Sequence, residues 1–300
     1  MDMIQNKCCR HGANLRRRRR RRRKILRSII FSCSIIAVAV FVAVGSSMIR
    51  SGDGRTNRYD VEAGNNTYDN AVIENSKISE KNKIQNNQSM LDDIMNSTQY
   101  PKQLKDLALK NEEALEFVYD YPAEHVKEHT IDLTEEASMD SVPLFVQWDK
   151  RWGYEKYSGN FFAASGCGPT TLSMVVVYLT HNREASPIAV AKYSKEAGYS
   201  VDGSGSSWTL ISEGCMHYGV KAKSVALDES RMKAELDEGH PIVVNVGPGD
   251  FTDTGHFMVI TGYDDEGFSI NDPNSIEKSG KRWLFKNISS QIRAVWSMYV

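Results

Sequence analysis

Residues 28–49 run for 22 positions without a charge, bracketed by Arg27 and Arg50 and rich in Ile, Val, Ala and Phe. At about 1.5 Å per helical residue the stretch measures roughly 33 Å, enough to cross a hydrocarbon core of about 30 Å, so it predicts one transmembrane helix. Residues 50–99 lose that pattern. Asn, Ser, Asp, Lys and Gly dominate there and apolar residues stand singly without period, which predicts a disordered polar stalk. From Pro101 periodic apolar positions return: Leu104, Leu107 and Leu109, then Asn111 as an N-cap ahead of Glu112 and Glu113, then Leu115, Phe117 and Val118. The spacing predicts a short helical segment over residues 100–140, with two helices ending near Pro122 and lying on the domain that follows.

The last domain spans residues 141–300. Leu172–Leu179 is apolar at seven of eight positions, a pattern that fits a buried strand or a buried helix. The helix is preferred because Pro169 suits a first helical turn and Gly166, Cys167 and Gly168 suit a tight entry. Ser186-Pro187 and Asp228 read as helix starts and Gly239 as a stop. His256–Gly262 reads as a buried strand, Tyr263–Gly267 as a turn and Phe268–Pro273 as a second strand. The expected fold class is α+β: a central buried helix carrying Cys167, short helices to about residue 238, and a mainly antiparallel sheet over residues 241–300.

Charge changes the picture of the N-terminus. Residues 1–27 hold twelve Lys or Arg against one acid, a net of +11, whereas residues 28–300 carry −12, so the overall −1 is a cancellation. A basic run directly before an apolar span is a topology signal that places the head, residues 1–27, in the cytoplasm and everything after Arg50 outside. Two alternatives attach to this region: nucleic-acid binding by the arginines, which is not expected, and release after a cleavage near Gly45. The five cysteines include no CxxC pair, and no HExxH occurs, which excludes a zinc ribbon and a zincin; no cofactor or metal is expected. Cys8, Cys9 and Cys33 read as a reduced cytosolic pair and a span residue, and Cys215 as core packing.

The remaining cysteine has a different setting. A thiol at a helix N-terminus meets partial positive charge and unpaired N–H groups, which favour the reactive thiolate, and flanking glycines leave the sulfur open to attack on a carbonyl. A thiolate needs a partner that holds it and delivers a proton to a leaving amine, and imidazole titrates in the right range. Among seven histidines His256, at a strand start, is the distinctive one. Asp272, at the end of the following strand, is the candidate that orients its far nitrogen, with Asn271 as the rival, since a simple tight turn does not set His256 directly opposite Asp272.

Gly-Cys-Gly-Pro-Thr before an apolar helix, Gly-His-Phe at a strand start and Asn-Asp-Pro-Asn at 271–274 resemble the C39-like cysteine peptidases, a branch of the papain-like fold related to bacteriocin-leader-processing peptidases. Val142–Asp149 is similar to that family's opening segment. The resemblance covers residues 141–300 and implies Cys167 as nucleophile, His256 as general base and acid, Asp272 as orienting carboxylate and Gln147 as oxyanion donor. No ATP-binding motif accompanies these residues, so the chain is not read as the peptidase arm of an exporter, and double-glycine leader specificity is not carried over. The expectation is a membrane-tethered extracytoplasmic cysteine peptidase acting on a peptide or protein. The alternatives are a thiol amidase or acyltransferase on cell-wall peptides, or a binding module that keeps the fold.

Overall fold

The computed structural model describes residues 67–300, with side chains from residue 79 onward. The expected span at 28–49, the basic head, Cys8, Cys9, Cys33 and the alternative cleavage near Gly45 lie outside the described residues. Among the described residues no helix is long and apolar enough to cross a membrane.

The polar stretch expected to be a disordered stalk up to residue 99 is helical from Thr67 to Asn96 (α1). The reason lies in its last turns. Met90, Leu91, Ile94 and Met95 stand at helical spacing, and they pack on a cluster formed by Leu104, Leu107, Phe117 and Val118, with Ile94 fully buried; a stripe that short is lost among polar neighbours when read along the chain. The next helix, α2, spans Lys102–Lys110 and buries Leu104, Leu107 and Ala108. Leu109, counted in the apolar stripe, is instead exposed. Asn111 does cap the next turn, its side chain accepting the Glu113 N–H at 3.0 Å. The second expected helix is broken into a turn of 3-10 helix at Glu112–Ala114 and two short pieces at Leu115–Tyr119 and Tyr121–Glu124. Phe161 and Ala163 of the following domain complete this cluster.

The apolar run with three valines is a helix, α3, Cys167–Thr180, buried without interruption from Gly168 to Val177. Ser186 and Asp228 cap the helices Pro187–Glu196 and Glu229–Asp237 (α4), and Gly239 follows α4 with a φ of +82°, a left-handed conformation that glycine adopts without strain. The sheet has six strands: β1 Lys221–Ser224, β2 Ile242–Val246, β3 His256–Asp264, β4 Gly267–Asn271, β5 Arg282–Trp283 and β6 Ile292–Tyr299. Their order is β1-β6-β2-β3-β4-β5, and every neighbouring pair is antiparallel. Strands covered on both faces lose apolar–polar alternation, which explains the apolar runs at 242–246, interrupted only by Asn245, and at 257–260. Val243, Phe257 and Val259 face α3, whereas Ile242, Val244, Met258 and Ile260 face Met232 and Leu236 of α4. The fold is thus a mixed arrangement of helices and an antiparallel sheet, with α3 packed on one sheet face.

The register of β3 and β4 carries the detail that matters for the site. Near the turn Asp264 pairs Gly267, Tyr263 pairs Phe268 and Gly262 pairs Ser269; past Thr261 the pairing slips by one, to Ile260 with Ile270 and Val259 with Asn271. A slip of one residue exchanges the two faces of a strand. Without it Asp272 would fall opposite Val259, on the face away from His256. With it Asp272, one residue beyond β4, falls diagonally across from His256 on the same face.

Candidate active site

Cys167 begins α3 and is partly exposed, while Cys215 is buried in a 3-10 turn; both are free thiols. The glycines beside Cys167 serve close packing. A Cβ at position 166 would sit 2.6 Å from the Phe162 ring, and one at 168 would sit 2.5 Å from Ser206 Oγ. The entry is fixed by Gly166, whose N–H donates to the Phe162 carbonyl at 2.7 Å and whose carbonyl accepts from Thr170 N–H at 3.0 Å and Thr170 Oγ1 at 2.8 Å. Farther along, Thr171 Oγ1 donates to the Phe257 carbonyl at 3.1 Å, which ties the helix to β3 one residue from His256.

His256 and Asp272 are both buried, and His256 Nε2 lies 2.7 Å from Asp272 Oδ1. The same oxygen accepts the Asn274 N–H at 2.8 Å, and the Asp272 N–H donates to Ser279 Oγ at 2.9 Å, so the carboxylate is held by its own turn. Asn271 faces elsewhere. Its Nδ2 donates to the carbonyls of Val142 (3.1 Å) and Pro143 (3.0 Å), anchoring the extended segment that leads to Gln147. With Nε2 committed to Asp272, Nδ1 is the nitrogen left for the Cys167 thiol, which shares the cleft wall with the ring and interacts with it electrostatically.

The electrostatics follow from that chain of contacts. For His256, burial disfavours the imidazolium, but the charge and hydrogen bond of Asp272 and the interaction with Cys167 outweigh it and push the pKa up to about 10. Burial likewise disfavours a thiolate at Cys167, yet the His256 hydrogen bond and charge, helped by the N–H groups of Phe257 and Gly168, bring it below the ordinary thiol value. Cys215 has no such partner, and burial pushes it up to about 11. Both directions favour a thiolate–imidazolium pair, with the thiol lowered and the imidazolium raised towards each other's charge. Iodoacetamide below pH 7 is expected to label Cys167 and leave Cys215 unmodified, and His256→Ala to move labelling of Cys167 to higher pH. Equal, slow labelling of both cysteines in a mass-spectrometric peptide map would sink this assignment.

Gln147 is buried, with its backbone N–H donated to the Pro273 carbonyl at 2.7 Å. Its side-chain Nε2 donates one hydrogen to the Ala163 carbonyl at 2.7 Å. An amide nitrogen has two, and Gln147 shares the wall of the cleft with Cys167 and His256, while its Oε1 is buried without a hydrogen-bond partner. Two depressions of about 520 and 700 Å³ meet at Cys167, one bounded by Gln147, His256, Asn274 and α2, the other by Gly205, Trp208, Pro248 and Arg293. The cleft-lining polar residues of α2 and Trp208 have no signal in the sequence, because surface-facing polar residues and a single exposed tryptophan carry no period. Among the described residues no group of three His, Cys, Asp or Glu side chains could hold a metal ion.

Comparison with known proteins gives the site a context. The peptidase C39-like family matches residues 139–300. Of solved structures, the peptidase domain of Streptococcus ComA, a bifunctional ABC transporter involved in a quorum-sensing pathway, is 19% identical over 53% of this chain and 96% of its own, with a TM-score of 0.38. A C39-like peptidase from Bacillus anthracis is 16% identical over 53% of this chain and 95% of its own, with a TM-score of 0.34. No curated protein sequence matches the chain.

Proposed function

The chain belongs to the peptidase C39-like family, and from that premise we propose that it is a cysteine peptidase working through Cys167, His256 and Asp272, with Gln147 as oxyanion donor, on a papain-like arrangement of helix and sheet. The observation that carries the reading is one buried imidazole with Asp272 at 2.7 Å from Nε2 and a helix-terminal thiol on the same cleft wall. Family membership supplies the peptide substrate class, and the geometry supplies a route for each atom. Cys167 Sγ attacks the scissile carbonyl carbon and the carbon–sulfur bond forms. The carbonyl oxygen takes the negative charge against the second side-chain N–H of Gln147 and the Cys167 N–H, each worth about 3 kcal/mol in a preorganised site. His256 gives its proton to the departing amine as the carbon–nitrogen bond breaks, leaving a thioester on Cys167. Water, deprotonated by the same imidazole, then attacks the thioester carbonyl and releases a carboxylate and the free thiol.

A library of quenched fluorescent peptides tests this. Wild-type protein is expected to release new N-termini, and Gln147→Ala to lower kcat by about 10² to 10³ with little change in KM, because the interaction is made mainly in the transition state. No cleavage of any library member, or Gln147→Ala with wild-type kcat, would count against the assignment.

The proposal extends to location: a single-pass protein with residues 1–27 in the cytoplasm and the peptidase domain outside, supported by the +11 head before an uncharged 22-residue stretch. Protease added to intact cells is expected to remove residues 141–300 and spare the arginine-rich head. Protection of that domain would overturn the topology, and soluble protein beginning near Ser46 would replace tethering by release.

A further inference from the structure

The family match begins at Met139, yet residues 101–124 reach the site from outside it. The Glu113 carboxylate accepts hydrogen bonds from the Ser275 hydroxyl and from the N–H groups of Ile276 at 2.7 Å and Glu277 at 3.0 Å. Asn111 donates through Nδ2 to the Asn274 carbonyl at 2.9 Å and to the Asn274 side-chain oxygen at 3.1 Å. All these contacts land on the turn that follows Asp272. Asn274, the residue Asn111 grips, is also the one whose N–H holds Asp272 Oδ1, the atom that meets His256. A continuous path of hydrogen bonds thus runs from Asn111 and Glu113 through residues 274–277 to Asp272 and the imidazole. The same segment forms a wall of the cleft, where Gln103, Asp106 and Lys110 stand across from His256.

We infer that residues 101–124 are a working part of the catalytic unit, in which Asn111 and Glu113 are positioning residues that set the Asp272 carboxylate against His256. The inference rests on the cysteine-peptidase reading above. Its physical basis is that orientation, not burial alone, makes Asp272 effective: a displaced carboxylate loses the linear bond to Nε2 and with it the preference for imidazolium, and misplacement by about 1 Å costs on the order of 10²-fold in rate. Docking of the segment does not depend on these two side chains, because Leu104, Leu107, Phe117 and Val118 are buried against Phe161 and Ala163.

The test uses the full chain with Asn111→Ala, Glu113→Ala and Glu113→Gln, the last retaining shape and one acceptor oxygen. Three quantities are measured: the pH dependence of Cys167 alkylation, where Cys167 and Asp272 are the ionisable partners of the imidazole, kcat and KM on the best library peptide, and the melting temperature. Expected are alkylation profiles moved to higher pH and a kcat lower by about 10²-fold for the two alanine variants, with KM little changed and Glu113→Gln intermediate. Variants that melt earlier but keep the wild-type alkylation profile and kcat would reduce the contacts to a structural clamp and overturn the inference. Should Glu113→Ala fail to fold, Asn111→Ala and Glu113→Gln decide the question by the same criteria. Wild-type protein without low-pH reactivity at Cys167 would be a separate result, overturning the peptidase reading and this inference with it.

Discussion

Cys167→Ala is expected to remove hydrolysis altogether, a loss on the order of 10⁶-fold in kcat, because attack by sulfur and proton delivery by imidazole act as one unit and neither proceeds without the other. The substitution takes away one partly exposed atom, so the chemical denaturation midpoint is expected to change little. Acid quenching of wild-type protein with an ester or amide substrate during turnover gives the complementary result: the acyl mass on the peptide that contains Cys167 and none on the peptide that contains Cys215. Two outcomes would break the proposal. One is hydrolysis that survives in Cys167→Ala; the other is an acyl group recovered on any other residue. Persistent binding of the peptide by Cys167→Ala is compatible with catalysis by the wild type, whereas binding without turnover in the wild type itself would favour the non-catalytic module.

Much of this site was legible in the sequence because its parts are local. A glycine-flanked cysteine at an apolar helix, a histidine at the start of an apolar strand and an aspartate at the end of the next strand each leave a signal within a few residues, and the α3, β3 and β4 elements follow from such signals. What was not legible is non-local. The one-residue slip at Thr261 decides which face Asp272 occupies, and it leaves no trace in composition because a bulge alters pairing rather than pattern. Which of Asp272 and Asn271 meets His256 is therefore set by the register and not by the local sequence. Helix α1 is illegible for a related reason: of its scattered apolar residues only Met90, Leu91, Ile94 and Met95, in the last two turns, join the cluster of Leu104, Leu107 and Phe117, and only the partner surface gives that short stripe meaning. The sequence suggests that the glycines at 166 and 168 give the sulfur access, but the Phe162 ring and the Ser206 side chain press against them, so packing requires them whatever access they also allow.

Asp272→Asn is expected to lower kcat by about 10⁴-fold with the fold retained, and Asn271→Ala to do far less. Two orientations of the new amide are available, and each fails for a different reason. With its oxygen at the position of Oδ1 it still accepts from Asn274 N–H and His256 Nε2, but the charge that stabilises imidazolium is gone and the NH2 group takes the place of Oδ2, a buried atom without a hydrogen-bond partner. With the amide reversed, NH2 faces the Asn274 N–H, and Nε2 must accept rather than donate. The proton then sits on Nδ1, where a neutral ring can no longer receive one from Cys167. In both cases the His256 pKa falls from about 10, and the Cys167 thiolate loses the cation that brought it below the ordinary thiol range. Alkylation of Cys167 in Asp272→Asn is therefore expected to need higher pH, in step with the loss of kcat. Asn271→Ala releases only the carbonyls of Val142 and Pro143, so its effect is expected to fall on the placement of Gln147, with the alkylation profile unchanged. The reverse ranking, with Asn271→Ala shifting thiol reactivity and Asp272→Asn leaving it alone, would transfer the orienting role to Asn271 and contradict the register that sets Asp272 on the face of His256.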